Sequence, residues 1–144
     1  MNNGREFKAK LGAWAVKAGD QLDGLARQSI QQMCFQVVAD TPVDTGFLRS
    51  SWQPSIGSPK AGKGQEFGVA GSGASAAAAK ALASIGVTIT DMKLGQKFHL
   101  TNNANYALHI EFGTTKMNGR FMVTDNAKRW PQIVSKAASE LGIK

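Results

Sequence analysis

A long segment with helical periodicity, closed by a proline, constrains the fold of this chain more than any other feature. From about Lys8 to Ala39 the apolar residues recur at steps of mostly three and four, with charged and amide side chains between them. This is the pattern of an amphipathic helix. Pro42 lacks an N–H and pushes the preceding residue out of the helical region, so we expect the helix to end near Asp40. Glycines inside a helix cost about 1 kcal/mol each, and Asp20 is a suitable N-cap, so a break near Gly19 is compatible with the pattern. The apolar positions are Trp14, Ala18, Leu22, Leu25, Ile30, Met33 and Val37.

The residues that follow the proline are typical of a turn and then a strand. Asp44, Thr45 and Gly46 favour a turn, and residues 47–53 favour an extended segment that Pro54 closes. Residues 55–73, rich in Gly, Ser, Pro and Lys, predict a surface loop, and the alanine run after it predicts a short helix ending at Gly86.

The second half of the chain predicts two short elements and a helix. Phe98 and Leu100 alternate with polar residues, and residues 106–112 alternate again after an asparagine-rich turn, which indicates two strands. The second run is short enough to be one helical turn instead. Residues 123–141 show helical periodicity, and Pro131 should kink or divide that helix.

Composition limits the classes of protein that this chain can belong to. Its 144 residues fit one domain with a real core. The net charge of +7 is compatible with binding to nucleic acid or to an acidic protein surface. Cys34 is the single cysteine, which excludes an intramolecular disulfide and favours a reducing cytosol. The sequence contains neither an apolar run of about 18 residues nor a signal peptide, so we expect a soluble intracellular protein.

One stretch resembles a dinucleotide-binding fingerprint. Gly71, Gly73 and Ala76 open a helical run, and Asp91 follows an apolar segment at nearly the distance of a ribose-binding acid. The strand that should precede these glycines is nearly absent, so a nucleotide-binding enzyme is the least favoured interpretation.

Other candidate sites are weaker still. Residues 57–64 match a phosphate-binding loop until Gly64 replaces the hydroxyl residue that would hold magnesium. His99 and His109 have no cysteine or carboxylate cluster at ligand spacing, and Cys34 lies where a buried hydrophobe is expected. We therefore predict no catalytic residue, no cofactor and no metal site.

Two blocks of the sequence carry a resemblance to a known family. TPVDTGFLRSSW (residues 41–52), followed by LTNNANYALHIEFGTTKMNGRFM (residues 100–122) and a Trp-bearing helix, resembles the neck or tail-completion proteins of long-tailed bacteriophages, the minor tail protein Z-like proteins. The resemblance extends from about Trp14 to Leu141. It is weakest over residues 55–85, which would be a variable insert. The family commonly has a proline before Tyr106, where this chain has Asn105.

The resemblance implies a fold and a role. The fold would be a single α+β domain, residues 1–144, with a long N-terminal helix and a C-terminal helix packed on a short antiparallel sheet and a flexible Gly/Ala/Lys-rich insert. Subunits would form a ring, expected to be a hexamer, between the head connector or head-closure protein and the tail terminator or tail tube protein. DNA would pass through the lumen without sequence-specific binding, and no enzymatic activity, cofactor or membrane is implied. The protein would be found in the host cytoplasm during assembly and then in the virion neck or tail. Family positions that match are Thr41, Pro42, Val43, Asp44, Thr45, Gly46, Leu48, Arg49, Asn102, Asn103, Tyr106, Glu111, Gly113 and Met122.

A ring subunit needs rigid corners so that neighbours meet at one angle, and the first block supplies the residue types for a corner. We predict that Asp44 accepts backbone N–H bonds in the turn and that Arg49 pairs with Glu111, within the subunit or across the interface. The insert, with Lys60 and Lys63, is predicted to be a docking loop that orders on assembly. The alternative function is a basic nucleic-acid-binding module that uses the insert and the tail.

Overall fold

One helix organises the fold. In a computed structural model, which describes residues 3–42, 47–62 and 74–143, α1 runs from Asn3 to Asp40 without interruption. At 1.5 Å per residue it is about 57 Å long. The break near Gly19 that the pattern allowed does not occur: α1 continues through Gly12, Gly19 and Gly24, each at a cost of about 1 kcal/mol. The predicted end is confirmed: the last helical residue is Asp40.

The remaining elements confirm the α+β class. They are α2 (Phe47–Ser50), β1 (Trp52–Ile56), α3 (Ala74–Asp91), β2 (Phe98–Asn102), α4 (Ala107–Phe112), β3 (Gly113–Thr114), β4 (Met117–Asn118), α5 (Thr124–Lys128) and α6 (Trp130–Glu140). β1 and β2 pair antiparallel, with Trp52 opposite Asn102 and Ile56 opposite Phe98. β3 and β4 form a separate two-stranded hairpin.

The predicted extended segment over residues 47–53 is partly wrong. Its first half is the helical turn α2, because the hydroxyls of Ser50 and Ser51 both donate to the carbonyl of Phe47 and close that turn. The strand begins only at Trp52 and continues through Pro54, which an edge strand tolerates.

The second predicted strand, residues 106–112, is helical in the structure, which is the alternative that its short length had left open. α4 is fixed at its start by two bonds, from the Ala107 N–H to the Ala104 carbonyl and from the Ile110 N–H to the Tyr106 carbonyl, both 3.0 Å. The C-terminal helix is divided as predicted, since Pro131 lies in the first turn of α6.

The predicted surface loop over residues 55–73 starts later than expected, and the predicted short helix after it is present but does not end at Gly86. β1 reaches Ile56, and α3 continues through Gly86 to Asp91 with Ala81, Ile85 and Ile89 buried along one face. The segment that would be the second strand of a nucleotide-binding unit is therefore helical. Gly71 and Gly73 lie outside the described residues.

The core lies where α1, α3 and the β1–β2 sheet meet. Its buried members are Cys34, Val37, Val38, Leu48, Trp52, Ala81, Ile85, Ile89, Ala104, Ala107 and Met122. α6 runs antiparallel to α1, with Glu140 accepting hydrogen bonds from Gln28 and Gln32. None of the helices in the described ranges is long and apolar enough to cross a membrane.

Candidate functional site

The corner after α1 is built around Thr41, which is fully buried. Its hydroxyl donates to the carbonyl of Val37 at 2.7 Å and accepts from the indole Nε1–H of Trp52 at 2.9 Å. Its N–H donates to the carbonyl of Val38. One threonine thus closes the helix end and ties it to the first residue of β1.

Arg49, on α2, completes the corner. Its Nε and Nη2 donate to the Thr41 carbonyl at 3.1 and 2.6 Å, and Nη2 also donates to the Ala39 carbonyl at 3.0 Å. These carbonyls belong to the end of α1, where backbone acceptors lack helical partners and the helix dipole favours a positive charge. The contacts that tie the end of α1 to α2 and β1 are therefore those of Thr41, Arg49 and Trp52.

Glu111, at the end of α4, holds the start of α5. Its Oε1 accepts from the Thr124 N–H at 2.8 Å and the Thr124 hydroxyl at 2.6 Å, and its Oε2 accepts from the Val123 N–H at 3.0 Å. Burial raises the pKa of this carboxyl, but the hydrogen bonds lower it more, so its pKa lies below the ordinary value of 4.5. A buried, ionised glutamate at the end of α4 thus caps α5, the next helix along the chain.

The predicted pairing of Arg49 with Glu111 within the subunit is wrong. Arg49 is engaged by the carbonyls of α1, while both oxygens of Glu111 are engaged by Val123 and Thr124. Each charge is satisfied by a different helix end, which leaves no reason for them to meet. The pairing across an interface stays a prediction.

Gly113 allows two backbone segments to cross. Its φ is +86°, and a Cβ there would lie 2.6 Å from the N atom of Gly119 and 2.8 Å from the carbonyl oxygen of Met117. A Cβ on Gly119 would lie 2.7 Å from the Glu111 carbonyl oxygen. Both positions therefore require glycine, and they keep the β3–β4 hairpin close to Glu111.

The two sequence blocks of the resemblance are joined in space. Asn102 donates to the carbonyl of Leu48, 54 residues earlier, at 2.8 Å, and the rings of Phe47 and Tyr106 lie 6.3 Å apart. Leu48 and Met122 are both core residues. The described residues of the two blocks therefore lie together, and several of them serve packing.

The predicted docking loop is held in place where it is described. Asn103 donates to the carbonyls of Lys60 and Gly62, both at 2.8 Å, and Gln53 donates to the carbonyl of Gly62. The side chain of Lys60 is exposed. Lys63 and the turn residues Val43, Asp44, Thr45 and Gly46 lie outside the described residues.

An apolar groove of about 540 Å³ opens beside the corner. It is lined by Ile30, Met33, Cys34, Val37, Trp52, Phe98, Leu100, Val123, Ala127 and Trp130. Burial raises the pKa of the Cys34 thiol to about 12, so this sulfur is an inert part of the lining at neutral pH. The groove is a surface for apolar contact.

Sequence reasoning missed Trp52 and Asn126 as corner residues. Trp52 stands in the first block, but nothing in the sequence says that its indole meets Thr41. Asn126 is fully buried and donates to the Met122 carbonyl and to Asp40 at 2.7 and 2.9 Å. A polar residue on the expected apolar side of the C-terminal helix was the one available signal.

Among the described residues, no group of three or more His, Cys, Asp or Glu side chains is placed to hold a metal ion. Comparisons of the chain with protein-family models, with curated proteins and with solved structures find no match.

Proposed function

We propose that this protein is a structural virion protein of a long-tailed phage or prophage, a neck or tail-completion subunit that forms a ring at the head–tail joint. Its activity is assembly rather than catalysis. Its partners are further copies of itself, the head connector or head-closure protein, and the tail terminator or tail tube protein. The DNA passes through the ring without sequence-specific binding.

The observation that carries the proposal is the junction between the two sequence blocks. They are separated along the chain, yet the Asn102 to Leu48 hydrogen bond and the Phe47 and Tyr106 ring contact join them beside the Thr41 corner. A rigid corner sets the angle between the elements on either side of it. A fixed angle is what a subunit requires if repeated copies are to close into a ring.

The glycine crossing and the glutamate cap support the same proposal. Glu111 and Gly113 belong to the second block, and both hold backbone segments at one spacing. They orient surfaces for neighbours, and their roles need no substrate.

The test combines mass measurement and negative-stain imaging of the purified protein, alone and together with phage tails. We expect closed rings with a central opening, and an antibody or gold label on the subunit located between head and tail. A label elsewhere on the particle, or particles that join heads to tails without the protein, would contradict the proposal.

A DNA-binding measurement separates the alternative function. A nucleic-acid-binding module would bind duplex DNA with an affinity that falls steeply as salt increases. For a ring that only lets DNA pass, we expect weak binding by the isolated subunit at physiological salt.

A further inference from the structure

Among the described residues, the first half of α1 extends beyond the other elements. Toward the N-terminus of α1, the other described elements pack closely against it only as far as residues 24–28. Leu141 approaches Gly24, and Arg27 donates to the carbonyls of Ile89, Thr90 and Met92 at the end of α3. Residues 3–22, here called the arm, continue for about 30 Å. In the described part of the chain, the arm meets the C-terminal residues at a shallow cleft, which Val16 and Gln21 line together with Leu141 and Ile143.

The arm carries an apolar stripe on one face. Phe7, Leu11, Trp14 and Leu22 are 68%, 52%, 66% and 55% exposed. At 100° per residue, these positions lie within about 80° of one another around the helix. The sequence predicted Trp14 and Leu22 as part of the apolar face of an amphipathic helix, and within the subunit both side chains are exposed. Large contiguous apolar surfaces of this kind mark protein contact sites.

The groove beside the corner has complementary character. Its lining side chains are aliphatic, aromatic or sulfur-containing. Small-molecule sites add a few polar groups that fix the orientation of a ligand. A lining without such groups suits the apolar side chains of another protein segment.

The arm cannot fill the groove of its own subunit. Trp14 of the arm and Met33 of the groove lie on the same unbroken helix, about 28 Å apart along its axis. A straight helix cannot fold back on itself, so the contact has to form between two molecules.

The two aromatic side chains of the stripe supply about a quarter to two fifths of the area that a stable interface buries on each partner. An aromatic side chain buries about 150–250 Å². Phe7 and Trp14, each about two-thirds exposed, therefore offer roughly 200–330 Å² together. Stable interfaces bury about 800 Å² per partner. Leu11, Leu22 and the flanks of a 30 Å arm supply much of the remainder.

We propose that the arm of one subunit docks in the groove of a second copy of this chain, with the Phe7, Leu11, Trp14 and Leu22 stripe against the Met33, Phe98, Leu100 and Trp130 wall. The contact is heterologous, because each subunit uses two different surfaces. Repetition of such a contact produces a ring if the rotation closes and a filament if it does not. The inference deepens the proposed ring by naming the surfaces that join its subunits.

Single substitutions test the two surfaces. The mass of the wild-type protein is measured by light scattering at about 1–100 µM, the range in which an interface of this size associates. Trp14→Glu on the arm and Trp130→Glu in the groove should each weaken association at least tenfold. Ala9→Glu is the matched control for the arm, since Ala9 is exposed and projects about 140° away from Trp14. Val87→Glu, at a position on α3 that is 65% exposed, is the control for the groove.

Mixing the two variants tests the pairing itself. Trp14→Glu keeps its groove, and Trp130→Glu keeps its arm, so an equimolar mixture should form a one-to-one dimer and nothing larger. If arms paired with arms, Trp130→Glu would still associate on its own, which would overturn the inference. Circular dichroism establishes that each variant is folded. If Trp130→Glu is not, Ala127→Trp blocks the groove from its exposed rim.

The outcomes also separate this inference from the proposed function. Rings that persist in Trp14→Glu and Trp130→Glu would overturn arm docking and leave the head–tail joint proposal intact. If the arm docks as proposed but the protein is absent from the head–tail joint, arm docking would stand and the proposed function would be overturned. A wild-type protein that is monomeric throughout the concentration range would overturn the inference.

Discussion

Replacing Glu111 with glutamine tests whether this buried carboxylate holds α4 against α5. The carboxylate accepts three hydrogen bonds, from Val123 N–H, Thr124 N–H and the Thr124 hydroxyl. A glutamine amide fits the same space, but one of its two ends is a donor. In either orientation at least one backbone N–H then faces an NH₂ group and loses its acceptor.

The expected loss follows from those contacts. A buried donor left without a partner costs about 1–3 kcal/mol. Removing a negative charge from the start of a helix costs about 0.3–1 kcal/mol more. Since Val123 is partly exposed and water can reach it, we expect Glu111→Gln to lower the free energy of unfolding by about 2–3 kcal/mol. For a chain of this length that is a fall in Tm of roughly 5–10 °C.

The pH dependence of the free energy of unfolding gives a second test of the role of Glu111 with the same variant. Because the pKa of Glu111 is lower in the folded protein than the ordinary 4.5, its stabilisation is present above pH 4.5 and is lost as pH falls through the folded pKa. The difference in stability between wild type and Glu111→Gln should therefore be full at pH 7 and shrink in acid.

The assay is urea unfolding followed by tryptophan fluorescence at one fixed, dilute subunit concentration, since self-association would add stability. Glu6→Gln is the matched control, because Glu6 is exposed on the arm and the chemical change is identical. A Glu111→Gln protein within about 0.5 kcal/mol of that control, or a difference independent of pH, would refute the capping role.

Three further predictions concern the corner, the hairpin and the groove. Thr41→Val leaves the buried Trp52 N–H without an acceptor and should cost about 1–3 kcal/mol in urea unfolding, whereas Thr41→Ser should retain most of the stability; equal losses would contradict the role of the hydroxyl. Gly113 has a positive φ, and the Cβ that Gly113→Ala adds would lie 2.6 Å from a backbone nitrogen, so this substitution should lower the free energy of unfolding by at least about 2 kcal/mol. Gly12→Ala, where the helix is surrounded by open space, should raise it by up to about 1 kcal/mol in the same measurement. The pKa of Cys34 is raised from 9.0 to about 12, so its thiol should resist alkylation at pH 8 unless the protein is unfolded. Because the buried thiol stays protonated at a pH where the unfolded thiol ionises, the stability that Cys34 contributes should be full below pH 9 and should be lost as pH rises toward 12. The Cys34→Ala protein should lack that loss. Rapid labelling of the folded protein would show that the groove admits the reagent.

The sequence correctly predicted the two helix boundaries that a proline determines. Pro42 ended α1 and Pro131 divided the C-terminal helix because proline removes a backbone donor wherever it stands. The prediction failed at Gly86, where a helix end was expected. Ile85 and Ile89 are buried on the same face of α3, and their burial outweighs the roughly 1 kcal/mol that a glycine costs in a helix.

The corner was predictable as a corner, but its contacts were not. Thr41 and Arg49 stand in a motif of turn residues, which indicates a change of chain direction. That Arg49 serves the carbonyls of α1 depends on where α2 lies in space, and that position comes from packing. Opposite charge suggested Glu111 as the partner of Arg49, yet unpaired backbone groups at helix ends compete for both side chains.

Because α1 is one unbroken helix, a small rotation at its C-terminal end displaces its N-terminal end by a large distance. Its C-terminal end is fixed by Thr41, while its N-terminal end carries Phe7 beyond the cleft lined by Leu141 and Ile143, the last support among the described residues. Rings of six and seven subunits differ by about 9° in the rotation between neighbours. Over a 30 Å arm that angle moves the tip by about 5 Å, roughly the width of one side chain. If the proposed ring forms, small changes at the corner should therefore alter the number of subunits that close it before they alter how strongly two subunits bind.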